Sequence, residues 1–262
     1  MNNRITDVFG KLKSSKKKAL IAFITGGDPD IETTEKLILS MEEAGADIIE
    51  IGIPFSDPVA EGMVIQEASA RALAGGCTVD KLFDMVKRLR EKTNIPLLFM
   101  TYANPIYAYG KERFMAKCSE TGIDGIIVPD VPFEEKEEFE HECNRFNICL
   151  ISLIAPTSGE RAEKIACETQ GFLYCVSSLG VTGTRSDINT NIAGLIQQIK
   201  KVSSIPCAVG FGISTPRQAR DMSAISDGII VGSAIVKLVA EFGKNSVIPV
   251  KNFVSELKSS LY

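Results

Sequence analysis

Acidic and phenolic side chains are the reactive groups that this sequence places in or near the ends of its apolar segments. The candidates are Glu50, Glu61, Tyr102, Asp130 and Tyr174. Glu50 is the most informative, because residues 48–52 are otherwise isoleucine and glycine and predict a buried strand. A buried charge costs several kcal/mol unless it is paired or protonated. Glu50 is therefore either half of a structural ion pair or an acid–base group whose pKa is raised by apolar surroundings.

Other kinds of catalytic chemistry lack the residues that they need. His141 is the only histidine, and it belongs to a charged segment, 134–147, that predicts a solvated helix. This argues against catalytic triads, Cys-His pairs and histidine-bound metals. No lysine lies in a predicted strand or directly after one, so a Schiff-base mechanism has no nucleophile. The seven cysteines contain no C-x-x-C pair and are expected to be reduced thiols.

Glycine-containing turns late in the chain indicate where an anion would bind. Residues 180–183, 210–212 and 232–233 follow the sixth, seventh and eighth predicted strands. Glycine lets the backbone approach an anion closely, and we expect Ser233 to cap a helix whose first amides face that anion. The seventh and eighth turns together predict a phosphate site, and hence a phosphomonoester substrate.

Apolar strands that alternate with amphipathic helices must position these groups. Eight apolar runs predict strands, at residues 19–25, 47–51, 97–102, 125–129, 149–154, 172–176, 207–209 and 228–231. Helical periodicity covers 5–12, 32–44, 79–92, 111–120, 134–147, 159–168, 192–202, 216–222, 234–241 and 250–261. Nearly continuous apolar strands are typical of parallel sheets, including doubly wound ones. The count of eight, with Gly or Pro after strands along the whole chain, favours a single (β/α)8 TIM barrel spanning 1–262, with an extra N-terminal helix.

Composition and charge limit the partners that this chain can have. The net charge of −4 and the pI near 5.3 provide no positive field for nucleic acid. No apolar stretch approaches the roughly 18 residues that would suggest a membrane span, and the first residues lack the apolar core of a signal peptide. We therefore expect a cytoplasmic protein that binds neither nucleic acid nor a membrane.

Several segments resemble those of a known enzyme family. The run at 50–62, Glu-Ile-Gly-Ile-Pro-Phe-Ser-Asp-Pro-Val-Ala-Glu-Gly, closely resembles the signature of tryptophan synthase alpha subunits. Further similarity lies at residues 100–105, 128–132, 155–157, 180–183, 210–213 and 232–236. The likeness covers essentially the whole chain, and segments in this order are harder to obtain by chance than any one motif.

The resemblance implies a lyase of tryptophan biosynthesis that cleaves indole-3-glycerol phosphate to indole and glyceraldehyde 3-phosphate, with no metal or organic cofactor in this chain. By position, Glu50 matches the family's general acid/base. Glu61 stands where the family usually has an aspartate that accepts a hydrogen bond from the indole N–H. Glutamate reaches one methylene further, and Met63 replaces a usual proline. These departures either compensate each other or mark a slow or partner-dependent enzyme, because a displacement of about 1 Å can cost ~100-fold in rate.

The same matching assigns the remaining site residues. The indole side would be lined by Phe23, Met100, Tyr102, Ile127, Tyr174, Thr182, Phe211 and Ile230, and the phosphate would be held by Gly183, Gly212, Gly232 and Ser233. Ordinary barrel packing or a plain turn is the alternative role for each of them. Residues 181–191 resemble the family's mobile lid, for which an ordinary loop is the alternative.

The resemblance also implies a partner, the pyridoxal-phosphate-dependent beta subunit, in an alpha2beta2 heterotetramer. The partner surface would include the loops 54–58 and 104–109, with Ile106 as an exposed hydrophobic side chain. Three alternatives remain open: a non-catalytic alpha-like subunit that binds the phosphoester and activates a partner, a free-standing indole-releasing lyase, and a different phosphosugar barrel. The last has no support from the run at 50–62.

Overall fold

A parallel sheet forms the centre of the molecule in the computed structural model, which describes residues 3–159, 161–176, 185–210 and 212–261. Its strands within these ranges are β1 (Ala19–Thr25), β2 (Ile48–Gly52), β3 (Leu97–Met100), β4 (Gly125–Ile127), β5 (Cys149–Leu150), β6 (Leu153–Ile154), β7 (Leu173–Val176), β8 (Cys207–Gly210) and β9 (Gly228–Val231). Each strand pairs in parallel with its neighbours in the order β5-β4-β3-β2-β1-β9-β8-β7-β6.

The two edges of this sheet meet within one stretch of chain, residues 149–154. β5 pairs with β4 at one edge and β6 pairs with β7 at the other. Between them, the Ile151 N–H donates to the Ile126 carbonyl (2.9 Å), and the Ser152 carbonyl accepts from the Tyr174 N–H (3.0 Å). The fifth predicted strand is therefore interrupted, and it closes the ring by pairing on both sides. The predicted TIM barrel is confirmed, with one strand divided in two.

The helices surround this ring. They are α1 (Arg4–Ser14), α2 (Ile31–Glu43), α3 (Met63–Ala74), α4 (Val79–Arg90), α5 (Ala103–Tyr109), α6 (Lys111–Thr121), α7 (Glu137–Arg145), α8 (Arg161–Glu168), α9 (Arg185–Val202), α10 (Pro216–Ser223), α11 (Ser233–Phe242) and α12 (Val247–Ser259). Short 3-10 turns lie at Phe133–Glu135, Pro156–Ser158 and Gly243–Asn245. The sequence prediction omitted α3 and α5, which follow the carboxyl ends of β2 and β3. No helix in the described part of the chain is long and apolar enough to cross a membrane.

Alternating strand residues supply two separate hydrophobic cores. Side chains such as Ile21, Leu98 and Ile230 fill the inside of the ring, whereas Leu20, Phe99 and Ile229 pack outward against the helices. This division follows from the two-residue period of a strand, which sends successive side chains to opposite faces. Glu50 shares the pleat of the inward residue Ile48, so its carboxyl group belongs to the inside of the barrel.

The predicted N-terminal helix closes the end of the barrel at which the strands begin. Ile5 and Phe9 of α1 pack into the inner core against residues such as Phe172. The Asn3 side chain caps α1 and donates to the Asp124 carbonyl, at 2.8 Å. The buried Asp124 carboxylate is paired with Arg4 (2.8 Å) and Arg90 (2.9 Å). With that end sealed, the inside of the barrel can receive a ligand only at the carboxyl ends of the strands.

Candidate active site

Glu50 lies in the middle of β2 and points into the barrel. Its side chain is 0% exposed. Neither carboxyl oxygen has a hydrogen-bond partner among the residues that the structure describes, and burial raises the pKa of Glu50 to about 8. The ion-pair alternative for Glu50 therefore does not describe this structure. A protonated acid in an apolar setting, with both oxygens available, can exchange a proton with a ligand at neutral pH.

Two aromatic side chains flank Glu50 inside the barrel. Phe23 on β1 is its partner in the strand register, and its ring lies over Gly52 and Gly232, where added side chains would clash with it or crowd it. Tyr174 on β7 is buried, and burial together with the negative charge of Glu50 raises its pKa well above the usual range. The Tyr174 hydroxyl lies against the backbone of Gly210. Both aromatic side chains thus line the inside of the barrel near the Glu50 carboxyl group.

Other predicted pocket residues also belong to the inner face. Ile127 and Ile230 are buried in the inner core, and Met100 is partly buried against it. Above them, Phe23 packs with three residues that the sequence prediction did not name: Ile65, Ala68 and Val236. They come from α3 and α11, which extend the apolar wall beyond the strands. The i, i+3 spacing of Ile65 and Ala68 after Glu61 was the signal that could have identified these two, but the helix that carries them was not predicted.

Glu61 lies at the end of the loop 53–62, immediately before α3. It is half-buried, and one of its carboxyl oxygens, Oε2, is buried with no partner in the described part of the chain. Burial raises the pKa of Glu61, and a hydrogen bond with the Tyr102 hydroxyl opposes that rise. The side-chain amide of Gln66 donates to the Glu61 backbone carbonyl at 2.7 Å. Glu61 is thus a second, more accessible carboxyl group, with an oxygen available to a ligand.

Tyr102 contacts the loop that carries Glu61 instead of ending a strand. β3 stops at Met100, and Tyr102 is the N-cap residue of α5. Its hydroxyl accepts from the Ala60 N–H at 3.1 Å, and burial raises its pKa to about 12. Its ring packs on Phe55, with centroids 5.5 Å apart. Asp130, the remaining acidic candidate, accepts from the Ala103 N–H at 3.1 Å and so fixes the start of α5.

The predicted phosphate turns meet at the same end of the barrel. Gly212 follows β8 with a φ of +80°, a conformation that favours glycine. Gly232, not Ser233, is the N-cap residue of α11, and it supplies no side-chain hydrogen bond. The prediction that Ser233 caps this helix was therefore wrong, because the helix begins at Ser233 itself. The first amides of a helix have no intrahelical acceptor, so those of α11 can bind an anion.

The register fixes how far the phosphate end lies from Glu50. Glu50 pairs with Phe23, and the preceding residue Ala22 pairs with Val231, which places Gly232 two strands away from Glu50 at the same level. Neighbouring strands are about 4.8 Å apart, so these backbone positions are separated by roughly 10 Å. One elongated ligand can therefore contact both groups.

Some predicted residues lie outside the described part of the chain. Thr182, Gly183 and Phe211 belong to this group. Only residues 185–191 of the lid segment 181–191 are described, as backbone at the start of α9. Within the described ranges, no group of three or more His, Cys, Asp or Glu residues could hold a metal ion.

The expected partner surface requires one correction. Residues 103–109 form helix α5, and Ile106 is fully buried in the outer core. The prediction of an exposed Ile106 was wrong, because a helix turns one apolar face inward where a loop would leave it in solvent. Tyr107 on the same helix is exposed, as are Val59 and Met63 near Glu61. These apolar side chains border the mouth of the barrel.

Comparisons with known proteins place these features in a family. The family model described as "Tryptophan synthase alpha chain" matches residues 9–261. The tryptophan synthase alpha chain of Thermoanaerobacter sp. is 48% identical over 99% of this chain and 100% of its own length. That of Alkaliphilus metalliredigens is 47% identical over 98% and 97%. Tryptophan synthase subunit alpha from Legionella pneumophila superposes with a TM-score of 0.91, 36% identity and coverage of 100% and 99%.

Proposed function

This chain belongs to the tryptophan synthase alpha chain family, and from that membership we propose how its residues carry out the alpha reaction. That reaction is the cleavage of indole-3-glycerol phosphate, a carbon–carbon lyase step of tryptophan biosynthesis. One observation carries the residue assignment. The buried carboxyl group of Glu50, which has no partner among the described residues, lies at the level of the N-terminus of α11 in the strand register. An acid–base group and an anion site are thus within reach of one phosphoester.

Glu50 acts in two proton transfers. Its protonated form donates a proton to C3 of the indole, which moves positive charge to the ring nitrogen. The resulting carboxylate takes the proton of the hydroxyl on the side-chain carbon attached to C3. The bond between that carbon and C3 then breaks, its electron pair neutralises the ring nitrogen, and the carbon becomes the aldehyde of glyceraldehyde 3-phosphate. Glu50 ends as it began, in the protonated form favoured by its pKa of about 8.

Glu61 stabilises the charge that develops on the ring nitrogen. Its unpartnered Oε2 accepts the indole N–H, and its negative charge opposes the positive charge that follows protonation at C3. Phe23, Met100, Ile127, Tyr174 and Ile230 bind the indole ring, with Thr182 and Phe211 as further candidates. Tyr102 holds Glu61 in place through its hydroxyl. We assign Tyr102 this positioning role because its ring packs on Phe55.

The phosphate binds to main-chain groups at the other end of the substrate. The amides of Gly232 and Ser233 at the start of α11, with Gly212 and Gly183, form this site. Neutral amides and a helix dipole bind an anion without a basic side chain, which suits an acidic protein. No cofactor of this chain takes part, since protonation at C3 makes the indole its own electron sink. Pyridoxal phosphate belongs to the beta subunit, the partner of this chain in an alpha2beta2 assembly.

Direct measurement of indole release tests this function. We expect the chain to release indole from indole-3-glycerol phosphate, faster with the beta chain than alone, and inorganic phosphate to inhibit competitively by occupying the α11 end. No release in either state, from a folded protein, would favour a non-catalytic alpha-like subunit. If the chain releases indole but neither binds the beta chain nor changes its rate in its presence, a free-standing lyase would be favoured.

Replacing Tyr102 with phenylalanine tests its positioning role. The variant lacks the hydroxyl that contacts Ala60 and Glu61, so the Glu61 carboxylate shifts. We expect kcat to fall by about tenfold with little change in KM, since small misplacements in a site are costly. Tyr109→Phe is the matched control, because its hydroxyl donates to Asp80 (2.6 Å) away from Glu61. Equal kcat values for the two variants would rule out this role.

A further inference from the structure

We propose that the ion pair between Asp28 and Arg71 is a positioning device that holds helix α3, and through it Glu61, in the geometry needed for cleavage. The proposal rests on the role assigned to Glu61 above and adds two positioning residues that do not touch the substrate. Asp28 follows β1, whereas Arg71 lies in the last turn of α3. Their contact joins two βα segments at the mouth of the barrel.

The Asp28 end of the pair is rigid. Asp28 is 2% exposed, and both of its oxygens accept from the Arg71 guanidinium, at 2.9 and 2.8 Å. The preceding Gly27 has a φ of +82° and packs so closely on Cys77 that an added Cβ would clash. Its N–H also donates to the Thr34 hydroxyl at 3.0 Å. A two-point contact to such a fixed carboxylate restrains both the position and the direction of Arg71.

Helix α3 connects the Asp28–Arg71 pair to the loop 53–62, which carries Glu61. It begins at Met63, directly after Glu61 and its N-cap Gly62, and its 12 residues span about 18 Å. Its inner face packs through Ile65 and Ala68 against Phe23 and Val236, the apolar wall above Glu50. A helix is stiff over this length, so a restraint at its last turn limits the position of its first turn.

The loop before α3 has few restraints of its own. Ser56, Asp57, Val59, Ala60 and Gly62 are exposed. The contacts described for its last residues are the Ala60 N–H to the Tyr102 hydroxyl, the Gln66 side-chain amide to the Glu61 carbonyl, and the Tyr102 hydroxyl to the Glu61 carboxyl group. The second of these originates on α3 itself. The position of Glu61 therefore depends on α3 as well as on Tyr102, and the end of α3 far from Glu61 is held by the Asp28–Arg71 pair.

The sequence supports this dependence at one position. Met63 is exposed at the first position of α3. Proline restricts the backbone at a helix start, whereas methionine does not. Because Met63 leaves the first turn of α3 less restricted, the position of Glu61 depends more on the restraint at Arg71.

Arg71→Ala tests the proposal, assayed in the complex with the beta chain. We expect kcat for indole release to fall on the order of 10- to 100-fold, as for a reacting group displaced by about 1 Å. KM and the inhibition constant for inorganic phosphate should change much less than kcat, because α3 touches α11 through side chains such as Val236, whereas the phosphate would bind main-chain amides. Millimolar guanidinium should restore much of the lost kcat, since Arg71 is partly exposed and the ion can occupy its place beside Asp28.

Arg88→Ala is the matched control. Arg88 also pairs with a carboxylate, Glu35, at 3.1 Å, but it joins α2 and α4 on the outer helix layer. The Arg88→Ala variant should show neither the loss of kcat nor the rescue by guanidinium. Arg71→Lys keeps the charge without the two-point contact and should lie between Arg71→Ala and wild type. If Arg71→Ala does not fold, Arg71→Lys decides the question by the same split between kcat and KM.

Three outcomes would overturn the proposal, and they are distinguishable from one another. Unchanged kcat in folded Arg71→Ala, with Glu61→Gln impaired in the same assay, would refute the positioning role and leave the function of Glu61 intact. Near-normal turnover by Glu61→Gln would refute the proposed function of Glu61 itself, and with it any action of Arg71 through that residue. Loss of kcat that guanidinium does not restore would show a general structural role.

Discussion

Replacing Glu50 with glutamine should lower the rate of indole release by about 1,000-fold, within the range expected for the loss of a general acid/base. Glutamine has the same shape but can neither donate a carboxyl proton to C3 nor accept one from the side-chain hydroxyl. The fold should tolerate the change, because Glu50 has no ion-pair partner within the described ranges and its neutral form already predominates at neutral pH. Steady-state kinetics and thermal unfolding measure the two effects.

The pH dependence should identify Glu50 as the acid. Burial raises its pKa to about 8, so the active protonated form is present below that pH and is lost as the pH rises through about 8. Tyr174 faces the same carboxyl group, and its pKa lies well above the usual range, so it stays neutral there. The alkaline limb of the profile of kcat/KM should therefore belong to Glu50. A rate that stays constant above pH 8 would contradict the assignment.

Glu142→Gln is the control for the Glu50 substitution. Glu142 is also a carboxyl group with one buried, unpartnered oxygen, but it lies on α7 in the outer layer, 3.6 Å from Lys111. Turnover by the Glu142→Gln variant should match that of wild type. Both variants should retain competitive inhibition by inorganic phosphate, since neither change reaches the start of α11. Near-normal turnover by Glu50→Gln would refute the proposed mechanism.

Replacing Glu61 with glutamine should lower kcat by about 100-fold. The amide retains an acceptor for the indole N–H but loses the negative charge opposite the ring nitrogen, and such electrostatic groups are worth on the order of 100- to 1,000-fold. Glu61→Asp keeps the charge and only shortens the side chain, so its loss should be smaller. The order wild type, Glu61→Asp, Glu61→Gln in kcat would show that charge matters more than reach.

The acidic limb of the pH profile should respond to Glu61. Its carboxylate must be ionised to stabilise positive charge, so activity is present above its pKa and is lost as the pH falls through it. Burial raises that pKa, and the Tyr102 hydroxyl opposes the rise. Tyr102→Phe should therefore move the acidic limb to higher pH. A faster Glu61→Asp variant would show instead that the longer side chain is poorly placed in this protein.

The fold could be predicted largely because its signals are local. Apolar runs, helical periodicity and turn glycines are read within a few residues, and a parallel barrel brings every strand end to one mouth. The prediction failed where local signals are weak. Helix α3 is rich in alanine and small residues, and α5 has only seven residues, so neither shows a strong apolar stripe. Packing at the mouth determines both, including the burial of Ile106.

By itself, the sequence determined that a carboxyl group lies within an apolar strand and that glycine turns follow the last strands. Tertiary structure alone decided that Glu50 has no partner among the side chains that the structure describes, because a missing counter-ion is a property of all the side chains around it. It also decided which residues contact the loop before Glu61 and the helix after it. Tyr102 reaches Ala60 across 42 positions and Arg71 reaches Asp28 across 43, and such contacts form only once the ring of strands has closed.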